Sequence, residues 1–283
     1  PTRDDFPGAD FPYGGGGDAA TADGAGFGDG DPRGGAGAAG AEYLLSAGGI
    51  ALSSWRGARI GSVPYLNARP LVEGLEGVRL ATPVELARAL RTGEVDAALV
   101  PVIEAIENPG YVLVDGVGIG ADGEVASVFV AHRRPREEWR RVARDPDSRT
   151  SNRLAEALFE GVEWVKRGEE AEAELWIGDP AIRYRAAHPE QSYVDLGAEW
   201  KRQTGLPFVF AVWALRREFV ALAEGLREAA QAGLAARRRI AKDEAEYRYL
   251  TENIRYGLGA REKAGIAEFA RRSGFGTVSL DWA

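Results

Sequence analysis

The chain has 283 residues, a net charge of −8 and neither cysteine nor methionine. Without cysteine there is no disulfide framework, thiolate metal site, cysteine nucleophile or lipid-bearing N-terminal cysteine, and two histidines, His132 and His188, leave little for a histidine zinc site or a Ser-His-Asp triad. No run of about 18 apolar residues could span a bilayer, and no basic face points to nucleic acid.

Residues 1–57 hold 16 of the 37 glycines, so they form a low-complexity extension that cannot bury enough apolar surface to offset ordering its backbone. It shows neither a basic n-region nor a clear cleavage site, and the expectation is a cytoplasmic protein.

From Arg59 the texture becomes α/β. Arg59 to Leu66 reads as a first strand ending at Asn67, with a helix from about Pro70. Thr82-Pro83-Val84-Glu85 is a helix start with a capping box, Val84, Leu86 and Leu90 as its buried stripe and Gly93 as its stop. Ala97 to Val102 is a continuous apolar run, as in a parallel strand covered on both faces. Tyr111–Val114 and Val125–Ala131 read as further strands.

Asp147-Ser148-Arg149-Thr150-Ser151 leads into the periodic Leu154, Ala157 and Leu158. Hydroxyls, a guanidinium and unpaired backbone N–H groups thus meet at a helix start, which suits a carboxylate or phosphate. Taken alone the segment is equally an N-cap on a solvated surface. Leu175 to Ile177 reads as a strand running into Gly178-Asp179, Gly197–Gln203 as a short helix and Pro207–Leu215 as a long apolar strand. Phe219, Leu222, Leu226, Ala230 and Leu234 mark a helix, and Ala260–Arg272 another.

Strand–helix alternation implies an α/β architecture with doubly wound sheets. If Val125–His132 and Phe208–Leu215 are two crossings, residues 58–132 with 212–283 form one lobe and 133–211 the other. A ligand cleft between them is the two-lobed periplasmic-binding-protein type 2 fold.

The segments SVPYLNARPL (62–71), GEVDAALVPVIE (93–104), SRTS (148–151), IGDPA (177–181) and DLGAEWKRQTGLPFVFAVWA (195–214) occur in this order. Together they resemble the chorismate dehydratases of the futalosine route to menaquinone, over Arg59 to Ser273. The last segment is the most specific. The chain departs from that pattern by being shorter between Phe159 and Ala173 and between Leu75 and Val78.

The resemblance implies a fold with two lobes and a reaction in which chorismate loses water to give 3-[(1-carboxyvinyl)oxy]benzoate. It implies that Asn67 hydrogen-bonds the leaving hydroxyl or the developing ring charge; by residue type alone Asn67 is equally a turn asparagine. It also implies that Ser127, in the strand 125–131, orients one carboxylate. Ser148, Thr150 and Ser151 would receive the other. Arg149 either reaches the ligand or ties the helix start to a carboxylate such as Asp179, and the second role is favoured. Asp179 is either a cleft residue or a helix cap, and a cap suits a carboxylate facing a dianion better. No side-chain base is evident, so the resemblance leaves the proton to the substrate's own enolpyruvyl carboxylate.

Trp200, Phe208, Phe210 and Trp213 either line the cleft and stack on the ring or belong to the core, and most of them read as core. No cofactor or metal is expected, and the expected partner is a small dicarboxylate. The rival readings are a small-carboxylate solute-binding protein without catalysis and the sister dihydroxynaphthoate-forming enzyme of the same pathway.

Overall fold

A computed structural model describes residues 57–283, so the extension expected before Gly57 lies outside the described residues. The described strands are β1 (Ile60–Ser62), β2 (Arg79–Leu80), β3 (Ala97–Pro101), β4 (Val112–Ala121), β5 (Val128–His132), β6 (Arg141–Ala143), β7 (Glu163–Val165), β8 (Ala173–Ile177), β9 (Ser192–Asp195), β10 (Phe208–Leu215), β11 (Arg255–Leu258) and β12 (Asp281–Trp282).

They form two mixed sheets, the first ordered β11-β4-β10-β3-β1-β2 with β12 also on β4, the second β7-β6-β8-β5-β9. The α/β class and the two-part architecture stand. Neither sheet is purely parallel, however. The apolar run of β3 is parallel to β1 on one side and antiparallel to β10 on the other. Burial on both faces, which all five of its residues share, is what the run reports; strand direction is set by the connections.

The chain changes sheets at different places from those expected. β5 lies wholly in the second sheet and β10 wholly in the first, so the changeovers fall at 122–127 and 205–207. A strand that completes a ladder along its length belongs to that sheet, and the irregular stretch before it makes the crossing. At the second crossing Gly205 takes a left-handed φ of 72° as the cap of the helix Leu196–Thr204. Trp200 Nε1 then donates to the Pro207 carbonyl at 3.2 Å.

Local signals behaved as chemistry dictates. Thr82 caps the helix Pro83–Arg91 through a complete capping box with Glu85. Val84, expected in the buried stripe, is exposed instead, because the second helical residue points away from the face that carries Leu86 and Leu90. The strand expected over 111–114 continues to Ala121. Ser127 precedes β5 instead of lying inside a strand, and Asn67 sits in a 3₁₀ turn, Leu66–Ala68, beyond the end of β1.

One close approach is diagnostic of this packing. The helix Leu222–Ala235 crosses the short helix Arg69–Val72, and a Cβ on Gly233 would lie 1.9 Å from the Pro70 carbonyl oxygen. Gly233→Ala should gain about 1 kcal/mol of helix propensity and lose more to overpacking, about 1–3 kcal/mol. The expected net is a lower urea midpoint with an unchanged slope; a midpoint raised by the substitution would contradict this close packing.

Candidate active site

A cleft lies where the first sheet, around β1, β3, β4 and β10, faces the start of β5, the end of β8 and the start of the helix Arg149–Leu158. Its empty space, open mouth included, is about 600 Å³. Apolar walls come from Val63, Leu99, Ile119, Val128, Ile177 and Phe210. Phe210 is the extra residue of a β-bulge, since Val209 pairs with Gly120 and Ala211 already with Ile119. The bulge re-aims its ring from the core, where Trp200, Phe208 and Trp213 are buried, into the cleft.

Asn67 enters from the first sheet. Its turn is fixed from both sides: the Leu66 N–H donates to Asp179 Oδ1 at 3.0 Å, and the Tyr256 hydroxyl donates to the Asn67 carbonyl at 2.9 Å. The Asn67 side chain lines the cleft. Its Oδ1 is buried without any protein partner. A buried carbonyl oxygen left in that state is costly unless a ligand donor meets it.

Ser127 arrives at the first crossing. Ala126 before it has a φ of 63°, among the described residues the one non-glycine at positive φ. Asp195 holds that backbone: its carboxylate accepts the N–H groups of Val125 at 3.0 Å and Ala126 at 2.8 Å, and caps the helix Leu196–Thr204 through Ala198 N–H at 2.9 Å. Burial pushes the Asp195 carboxyl above its ordinary pKa, against the pull of those three N–H groups. The Ser127 carbonyl accepts from Gly178 N–H at 2.8 Å, and the Tyr249 hydroxyl lies 2.8 Å from Ser127 Oγ.

The third wall is the start of the helix Arg149–Leu158. Ser148 caps it, accepting the Ser151 N–H at 3.1 Å and bonding the Ser151 hydroxyl at 2.8 Å. That leaves the first-turn amides of Arg149 and Thr150 without intrahelical partners. Thr150 Oγ1 accepts the Ile103 N–H from the facing helix Val102–Glu107, at 3.3 Å. Arg149 turns away: it pairs with Glu104 at 3.2 Å and Glu107 at 2.5 Å.

Asn67, Ser127, Ser148, Thr150 and Ser151 therefore line one cleft, whereas Arg149 and Asp179 do not. Arg149 is an ion-pair anchor, with the two glutamates in place of the Asp179 partner suggested by sequence. Asp179 does not cap its own helix, Gly178–Ala187, which has no side-chain cap; it receives the turn that carries Asn67. Sequence reasoning missed Tyr65, Asp195, Tyr249 and Tyr256, and of the four aromatics it offered for the cleft only Phe210 lines it. Tyr249 lies 122 residues from Ser127, and no local spacing signals such a pairing.

Among the described residues no charged side chain lines the cleft, so an anion there meets hydroxyls, backbone N–H groups and the positive ends of two helices, those starting at Arg149 and Gly178. A wider hollow of about 1230 Å³ beside Asp122, Arg255 and Glu262 has a different character. Its charges satisfy one another, Asp122 with Lys201 at 2.5 Å and Arg261 at 3.2 Å, Glu262 with Arg255 at 3.5 Å.

Residues 58–274 match a family profile described as menaquinone biosynthesis. The chain belongs to that menaquinone biosynthesis family. Two relatives, each named chorismate dehydratase, align with it. One, from Thermus thermophilus, is 32% identical over 76% of this chain and 94% of its own length. The other, from Campylobacter jejuni, is 28% identical over 73% and 89%. A Candida albicans protein described as having the generic periplasmic binding protein fold superposes with a TM-score of 0.52 at 12% identity, covering 78% of this chain and 91% of its own. That likeness shows the two-lobed fold. Of the polar residues gathered in the cleft, Asn67 comes from the motif 62–71 and Ser148, Thr150 and Ser151 from 148–151, whereas Ser127 lies outside the motifs.

The loop before the Ser148 helix carries a titration signature. Burial raises the Asp145 carboxyl from 3.8 to about 6, although Arg167 sits at 3.1 Å and the Asp147 N–H at 2.9 Å. The folded state thus holds this proton more tightly than the unfolded chain, and the stability it confers is complete below pH 3.8 and lost as pH rises to about 6. Asp145→Asn removes that loss. Its stability relative to wild type should rise by about 2–3 kcal/mol between pH 4 and 6 and then level off. Urea midpoints across that range measure it, and a difference independent of pH would be the contrary result.

Proposed function

We propose that this protein is a chorismate dehydratase, converting chorismate to 3-[(1-carboxyvinyl)oxy]benzoate and water. The observation that carries the reading is the cleft itself: Asn67, Ser127, Ser148, Thr150 and Ser151, from three separate segments, converge on one space with apolar walls. The kinship with two proteins named for this reaction supports it. A biosynthetic role of this kind suits the cytoplasm. Among the described residues no helix is long and apolar enough to cross a membrane.

The chemistry asks for orientation more than for a strong acid. The ring hydroxyl leaves with its bonding electrons, the hydrogen on the neighbouring ring carbon leaves as a proton, and together they make water while the ring becomes aromatic. Aromatisation supplies the driving force. The enzyme must hold a flexible dianion in one pose and shield it from side reactions.

Asn67 Oδ1, buried and unpartnered, accepts the ring hydroxyl's O–H. That bond fixes the C–O direction and leaves the oxygen's lone pairs free for the proton removed next door. Ser127 and the Ser148 helix start hold the two carboxylates on opposite walls. The enolpyruvyl carboxylate, set close to the ring hydrogen, carries the proton across.

The rival solute-binding reading shares the fold, and fold alone assigns no chemistry. Incubating the purified protein with chorismate in EDTA, with chromatography and mass detection, separates the two. A product lighter by one water with an aromatic spectrum is expected; chorismate bound but unchanged would indicate a binding protein. Asn67→Ala should abolish turnover with folding intact, and wild-type rates would remove Asn67 from the mechanism. Thr150→Val with Ser151→Val should raise KM by about tenfold or more, the loss of one or two hydrogen bonds to a charged group. A wild-type KM would return these hydroxyls to helix capping.

A further inference from the structure

We infer that Asp179 is a positioning residue that ties the placement of Asn67 to closure of the cleft: carried by the second lobe, its carboxylate holds the first-lobe turn on which Asn67 sits. The inference rests on the dehydratase reading of this site and adds to it when the reacting geometry is assembled.

The 3₁₀ turn Leu66–Ala68 begins without a side-chain cap. The Leu66 N–H is therefore a donor with no acceptor in its own turn. Asp179 Oδ1 meets it at 3.0 Å, from 113 residues away. The turn follows β1 of the first sheet, whereas Asp179 follows β8 of the second. A bond between lobes exists only while the lobes are together. The other hold on the turn is of a different kind. Tyr256 lies in β11 of the first sheet, so its 2.9 Å bond to the Asn67 carbonyl does not depend on the second lobe. Asn67 is thus gripped from one side by its own lobe and from the other by closure alone.

The start of the helix Gly178–Ala187 is shaped for this contact. Gly178 has a left-handed φ of 63°, and a Cβ there would lie 3.4 Å from the Tyr65 ring, so a first-lobe ring rests on bare backbone. The Gly178 N–H donates to the Ser127 carbonyl at 2.8 Å. One junction therefore touches both the crossing that presents Ser127 and the turn that presents Asn67. The opposite rim is joined as well, by Thr150 to the Ile103 N–H and by Arg149 to Glu104 and Glu107. An interaction made in only one of two states shifts the population towards that state. The Asp179 bond accordingly favours the closed form and aims Asn67 within it.

Asp179→Ala removes the acceptor, and Asp179→Asn keeps a side-chain carbonyl in its place. In Asp179→Ala chorismate kcat should fall about 10- to 100-fold with a smaller rise in KM, as expected when a reacting group is misplaced. Asp179→Asn should recover most of that loss; a role confined to stability would lower the melting temperature and leave kcat of the folded enzyme alone. Closure is read without substrate by electron–electron resonance between nitroxides at Val84→Cys and Arg183→Cys, exposed positions on the two lobes of a chain that has no cysteine of its own. Adding Asp179→Ala should raise the long-distance population at least about threefold, the loss of one hydrogen bond to a charged group. A kcat within twofold of wild type, or an unchanged distance distribution, overturns the inference. Should Asp179→Ala not fold, Asp179→Ser, whose hydroxyl falls one bond short, carries the same readings. Wild-type protein that leaves chorismate unchanged defeats the dehydratase reading, and the distance distribution still decides whether Asp179 ties the lobes.

Discussion

The half-buried carboxylate of Asp195 is the constraint on which the cleft depends. A carboxylate taken out of water is tolerable only when its lone pairs are met. Here the donors are Val125, Ala126 and Ala198 N–H, two from the crossing and one from a helix start. The arrangement holds Ala126 in a left-handed conformation that costs roughly 1–2 kcal/mol in an L-residue. In return the chain turns sharply enough to place Ser127 against Tyr249 on one side and Gly178 on the other. Residues of the two sheets thereby become neighbours at one point, and the remaining walls assemble around it.

Charge is kept out of that point. Glu104, fully buried, takes Arg91 at 2.6 Å, Arg149 at 3.2 Å and Asn108 Nδ2 at 3.0 Å. That network joins the helix carrying Ser148, Thr150 and Ser151 to the facing helix of the first sheet, but on the side away from the cleft. The hydroxyls look inward while the guanidinium beside them looks outward, because residues one apart on a helix do not share a face. Inside, the Thr150 bond to Ile103 N–H and the Asp179 bond to Leu66 N–H are neutral at one end. A dianion entering such a space meets partial charges in fixed places, with no cation near enough to hold it in an unproductive pose.

The parts of this arrangement that are local were legible in the sequence. The Thr82 capping box, the Ser148 cap and the apolar runs of β3, β8 and β10 are each decided within a few residues. What was not legible is what pairing alone creates. β2 and β12 have two residues each, too few to carry a pattern, and exist because a neighbouring strand offers a ladder. Phe210 could not be told apart from Trp200, Phe208 and Trp213 by sequence as cleft or core, and the bulge, a property of two strands together, sends it alone into the cleft. The crossing at Ser127 was read as strand because Val125, Val128 and Val130 suit one; the carboxylate that prevents it is Asp195, 70 residues from Val125. Among the site residues, those on helix starts and turns could be named from residue type and resemblance. Tyr249 and Tyr256 could not, since an aromatic pair on a late polar segment looks like packing until its hydroxyls are followed to Ser127 and Asn67.

The same architecture serves proteins that only bind, and the difference lies in how firmly direction is set. A binding cleft needs complementarity to its ligand; a dehydratase driven by aromatisation needs one pose in which the departing hydroxyl and the neighbouring hydrogen are both correctly aimed. Neutral groups give such control only if each hydrogen bond has a fixed sense, because a hydroxyl or an amide free to rotate or flip serves either polarity equally. The C-terminal segment narrows that freedom here, holding the Asn67 backbone with the Tyr256 phenol and Ser127 Oγ with the Tyr249 phenol. Catalytic power in this cleft then comes from rigidity supplied by residues that the substrate need not touch, on a strand and a turn far along the chain from those it does.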